Sequence, residues 1–129
     1  MNSPKLKSLI HLSLGDPGEK TQVTMDLHLF GRDFLLLIGG GEAHIGAVAC
    51  TNEIDLEHFT LKGHMEGELV DQVLREMAEV TEREIMVIGG IHYEQIQASQ
   101  IEQILENVQG LTVQMKGELS ALKLDFHNQ

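Results

Sequence analysis

Hydrophobic and polar positions divide the chain into an alternating first half and a helical second half. Ile10, Leu12 and Leu14 alternate with His11 and Ser13 until Gly15-Asp16-Pro17-Gly18, a dense turn signal, ends the run. Val23, Met25, Leu27 and Leu29 then alternate with Gln22, Thr24, Asp26 and His28, the period-2 signature of a half-buried strand, with His28 expected to face water. A tight turn at Gly31-Arg32-Asp33 leads into Phe34 to Ile38, a continuous apolar run that predicts a strand covered on both faces. The glycines from Gly39 to Gly41 interrupt this meander. Extended structure resumes from Ile45 to Ala49, and Phe59 to Leu61 adds a short strand.

The period then changes. Leu69, Val70, Val73, Leu74, Met77 and Ala78 form the stripe of an amphipathic helix from about Glu66 to Val80, with Asp71 four residues before Arg75. Ile85 to Ile88 reads as a buried strand ending at Gly89-Gly90. Ser99 and Glu102 have capping-box spacing and open a second helix, whose stripe runs from Ile101 through Leu111 and past Gly110 to Leu122. The expected architecture is α+β: an antiparallel-rich sheet with two helices packed on it.

Length and composition narrow the classes. With 129 residues, 42% hydrophobic and 22% charged, one folded domain over residues 1–129 is expected. The single Cys50 excludes an internal disulfide, and no signal peptide or membrane span is read, so the cytoplasm is the expected compartment. The formal charge is −11, and Thr51 to Glu106 holds 13 acids against Lys62, Arg75 and Arg83. Nucleic acid and anionic membrane are poor partners for that balance. An apolar stripe long for so small a domain, and a sheet that only two helices can cover, predict self-association as a homodimer.

Candidate chemistry gathers where glycine precedes histidine: Gly39-Gly40-Gly41 with His44 and Gly46, Gly63-His64, and Gly89-Gly90 with His92-Tyr93. Glycines admit close approach, and consecutive amides can cradle an anion. If these strand ends share an edge, His44, His64 and His92 form a rim. Each segment can equally be a turn capped or packed by its histidine. Dinucleotide, nucleotide-triphosphate and zinc signatures are absent, and neither a metal set nor a catalytic pairing can be read from the spacing.

The same segments resemble a known family. Gly-Gly-x-x-x-His-Ile-Gly-Ala-Val-Ala at 39–49, Gly-His-x-Glu at 63–66 and Val-x-Gly-Gly-Ile-His-Tyr at 87–93 are similar to the prenylated-flavin chaperone-like family, which includes the small D subunit of UbiD-type gallate and hydroxybenzoate decarboxylases. The resemblance implies a proteasome-assembly-chaperone-like fold. It also implies a non-catalytic accessory role: binding prenylated flavin mononucleotide (FMN) or delivering it to a UbiD-type decarboxylase. A flavin mononucleotide needs an anion cradle and an apolar slot. The candidate cofactor-binding residues are therefore Gly39, Gly40, Gly41, His44, Gly46, Lys62, His64, His92 and Tyr93. The alternatives are an assembly or oligomerisation module without cofactor, and a small enzyme using the His44/His64/His92 rim.

Overall fold

A computed structural model describes residues 5–51, 57–60 and 67–122. The alternating segments form six strands: β1 (Leu6–Leu14), β2 (Val23–Phe30), β3 (Asp33–Gly41), β4 (Ala47–Cys50), β5 (Glu57–Thr60) and β6 (Ile85–His92). Two helices accompany them, α1 (Gly67–Ala78) and α2 (Ala98–Ala121). The strands join one sheet in the order β1-β2-β3-β6-β4-β5. Every neighbouring pair is antiparallel except β3 and β6, which run parallel. The expected α+β sheet with two helices is the architecture observed. Its one parallel pairing joins strands far apart in sequence, with β4, β5 and α1 in the crossover.

Both helices lie on one face. Met25, Leu27, Leu36 and Val87 point to that side and are fully buried against Val70, Leu74 and Met77 of α1 and Leu111 and Met115 of α2. Each such side chain contributes roughly 1.5–3 kcal/mol of transfer free energy. Asp71 and Arg75 form the expected pair, at 2.9 Å. Asn107, buried within α2, donates to the Thr21 carbonyl at 2.9 Å and accepts from Gln103, fastening the helix to the β1–β2 connection.

Local expectations shift in three places. The first strand begins at Leu6 rather than Ile10, with a register irregularity between Ser8 and Ile10. The second helix starts at Ala98, one residue ahead of Ser99, because Gln100 Oε1 accepts from the Gln97 amide at 2.7 Å and closes the first turn. That helix runs on past Gly110 as expected; a Cβ there would stand 3.2 Å from Leu14 Cδ2, so its bareness lets β1 approach. The run from Phe34 to Ile38 is more deeply covered on one face than on the other: Phe34, Leu36 and Ile38 are buried, while Leu35 and Leu37 are half-exposed on the sheet face that carries no helix among the described residues.

Candidate functional site

Parallel pairing of β3 with β6 sets two of the three glycine-histidine segments side by side. Gly39 stands opposite Gly90, Gly40 opposite Ile91 and Gly41 opposite His92. At Gly41 the backbone turns left-handed (φ +62°), where an added Cβ would collide with the His92 carbonyl. The Glu42 amide donates to that same carbonyl at 2.9 Å. From there the chain crosses the end of β6 to reach β4. The crossing is possible because Gly90 is bare: a Cβ would run into the His44 carbonyl, and one on Gly39 would press on Ala43 Cβ at 3.2 Å.

The paired glycines are thus a flat floor for residues 42–46. Gly46 also has its amide engaged, donating to the Gly89 carbonyl at 2.9 Å. On the opposite face, the position a Gly89 Cβ would take lies 2.6 Å from Val70 Cγ1, so α1 packs directly on the strand. Gly39 is paired with Thr24 on one side and Gly90 on the other.

Polar and aromatic side chains gather at this edge. The His44 and His92 rings meet edge to face, centroids 6.3 Å apart. His44 Nδ1–H donates to the Glu42 carbonyl at 3.1 Å; it is the backbone of Glu42, not its carboxylate, that orients the ring. His92 Nε2–H donates to the Glu94 carboxylate at 3.3 Å with its side chain 47% exposed. Lys20 reaches the edge from the β1–β2 connection and donates to the Glu94 carbonyl at 2.6 Å. Tyr93 is half-buried, its hydroxyl donating to the Gln22 carbonyl at 2.7 Å. His44, His92 and Tyr93 are brought together with the glycines, whereas Lys62 and His64 lie outside the described residues. No group of three or more His, Cys, Asp or Glu among the described residues is placed to hold a metal ion.

A second concentration of chemistry lies at the other end of β3, eight residue steps or about 26 Å away. Arg83, in the α1–β6 connection, donates from Nη1 to the carbonyl of Arg32 in the β2–β3 turn, at 3.0 Å. Partial burial, and then the neighbouring Arg32 charge, push the Arg83 guanidinium below its ordinary pKa, with Asp33 opposing more weakly. Both arginines line a recess of about 890 Å³ with Asp33, Glu82 and Glu84. Asp33 and Glu84 also border a groove of about 540 Å³ on the helix-free sheet face, floored by Leu6, Phe30, Leu35, Met86 and Ile88. The two arginines are 51 residues apart, so no local spacing could have joined them.

Residues 18–120 match the family described as the prenylated flavin chaperone LpdD-like domain. A search of curated proteins returned no match. Among solved structures, the chain is similar to one titled as a novel chaperone complex for yeast 20S proteasome assembly, at a TM-score of 0.53 and 13% identity over 90% of this chain and 99% of that one. That likeness places the fold with a proteasome assembly chaperone. No helix among the described residues is long and apolar enough to cross a membrane.

Proposed function

Since the chain belongs to the prenylated flavin chaperone LpdD-like family, we propose that it is a non-catalytic accessory protein that binds prenylated FMN or delivers it to a UbiD-type decarboxylase in the cytoplasm. The family match over residues 18–120 carries this reading. The glycine floor fits poorly as a phosphate cradle, because the chain itself fills the space beside Gly39 and Gly90 and the Gly46 amide is already bonded. The proposed contacts at the rim are therefore its side chains, His44, His92 and Tyr93, together with Lys62 and His64. Two imidazoles can hydrogen-bond a polar ring edge, and the protein's part is to bind, orient and release. The chemistry that prenylated FMN supplies belongs to the decarboxylase.

Titrating prenylated FMN into the pure protein tests the proposal. Saturable binding supports it, as does faster activation of an apo-decarboxylase in the protein's presence. Carbon dioxide release from gallate by this protein and cofactor alone would overturn the non-catalytic reading.

Self-association accompanies the reading. A sheet with one uncovered apolar face is stabilised by stacking on another sheet about 10 Å away. Leu35, Leu37, Val48, Met86 and Ile88 form that face; Asp26 beside them is paired with His11, and Asp33 and Glu84 stand at its border. For a chain of charge −11, this is a surface on which a second copy can settle with little repulsion.

A further inference from the structure

We propose that the groove between α1 and α2 is the docking site for a basic amphipathic helix of the partner protein, its apolar side chains seated between the two helices and its cations facing the carboxylates at the rim. The identity of that partner, the decarboxylase, rests on the accessory role proposed above; the groove does not.

The core uses only part of the apolar surface of α2. Ile104, Val108, Leu111, Met115 and Leu119 are buried, whereas Ile101, Leu105 and Val113 are 46%, 51% and 61% exposed. Together with Gln109 these three follow one another at four-residue steps, so they wind as one stripe along the helix. Leu105 is where the stripe meets α1. With Leu69, Val73 and Val108 it lines an interhelical groove of about 260 Å³, bounded by Gln72, Glu76 and Gln109. Large apolar side chains left exposed beside a groove mark a binding surface, and the i, i+4 spacing is that of a helix laid against another.

Charge decides the occupant. Glu102 and Glu106 lie along the stripe and Glu68 in the first turn of α1, and none has an ionic partner among the described residues. The cations of the two helices are already held, Arg75 by Asp71 at 2.9 Å and Lys116 by Glu76 and Glu79 at 2.7 and 2.9 Å. A second copy would bring these carboxylates against their own kind, so this face disfavours self-pairing. A cationic helix with one apolar side complements both the stripe and the rim.

Two labelled model peptides are the probes: one of Leu and Lys in amphipathic helical order, and one of identical composition with the order scrambled. Fluorescence anisotropy reads the affinities. The ordered peptide is expected to bind about tenfold more tightly than the scrambled one. Leu105→Ser should weaken the ordered peptide about tenfold and leave the thermal midpoint nearly unchanged, because the side chain is half-exposed. Glu102→Gln combined with Glu106→Gln should weaken it about threefold and flatten its salt dependence. An apo-decarboxylase of the UbiD type should displace the ordered peptide. Equal binding of the two peptides, or a Leu105→Ser protein that binds as the wild type does, overturns the docking site. A decarboxylase that binds the wild-type protein without displacing the peptide also overturns it and leaves the accessory role standing. If the decarboxylase does not bind at all while peptide binding still depends on Leu105, the groove stands and the accessory role falls.

Discussion

Along β3 and β6 the two faces of the sheet are built from equally apolar residues and end in different states. On the helix side, Leu36 and Val87 are fully buried. On the other, Leu37 and Ile88, one position along the same strands, are only half-buried, and Met86 is more exposed still. A strand whose polar positions faced water would alternate in hydrophobicity, and β2 does so with Thr24, Asp26 and His28. Strands β3 and β6 do not. Apolar side chains kept on an uncovered face indicate that something other than water meets them, which is the physical basis for placing the second copy there.

The contrast is sharpest between neighbours. Leu36→Ala removes a side chain with no exposure and should cost about 2–5 kcal/mol, since the helices above cannot fully collapse into the gap. Leu37→Ala should cost about 1 kcal/mol when the protein is dilute enough to be monomeric. Urea midpoints of the two variants measure this; equal losses would mean that the second face is covered within the chain after all.

Glycine substitutions probe the same contrast at the rim. Gly90→Ala forces a methyl into the His44 carbonyl and should cost about 1–3 kcal/mol while displacing the His44 ring. Gly39→Ala, opposed by the Ala43 methyl at 3.2 Å, needs only a small shift and should cost less. Thermal midpoints and the histidine signals in NMR spectra report both effects. Similar behaviour of the two variants would mean that residues 42–46 do not rest on the floor as described.

Much of this was legible in the sequence, and the remainder was not for identifiable reasons. The β2 alternation and the α1 stripe could be read directly because each is a local pattern with one buried side. The run from Phe34 to Ile38 looked buried on both faces because hydrophobicity records that a residue avoids water without saying whether its cover lies in the same chain. His28 likewise proved half-buried, with Nδ1 shielded from solvent and without a hydrogen-bond partner among the described residues, since β1 and β3 flank it. Glycines 39, 40 and 41 suggested an anion cradle because a bare backbone reads the same whether a ligand or another strand comes close. Of the three, Gly39 pairs with Gly90 and lies as floor beneath residues 42–46, an arrangement that only the parallel pairing of β3 with β6 reveals. The Arg32–Arg83 pair depends on a fold-level approach and left no mark on the sequence.

On the open face, Leu37→Arg should abolish self-association while changing monomer stability by no more than about 1 kcal/mol, because the half-exposed site lets the guanidinium reach water. Light scattering at micromolar concentration reads the mass. Wild-type protein at 14.3 kDa would remove the homodimer, and a variant that still pairs would move the interface elsewhere.

The smallest effect belongs to the covered side, where α2 is tied to α1 by Lys116. Its ammonium donates to Glu76 at 2.7 Å and to Glu79 at 2.9 Å. The Glu76 hydrogen bond, then that to Glu79, raises the lysine pKa above its ordinary value. A group whose pKa is higher in the folded state favours folding while protonated, so this contribution is complete at neutral pH. It fades as pH rises past the unfolded-chain value of about 10.4 and through the folded one. The wild-type urea midpoint should therefore decline more steeply between pH 9 and 11.5 than that of Lys116→Met, which keeps the aliphatic stem over the helix pair but carries no proton to lose. Every other ionisable group is common to the two proteins, so the difference between the two curves isolates the lysine. Parallel curves would show that the helices on the covered face are held by their apolar contacts alone, and that the ion pairs above them contribute nothing measurable.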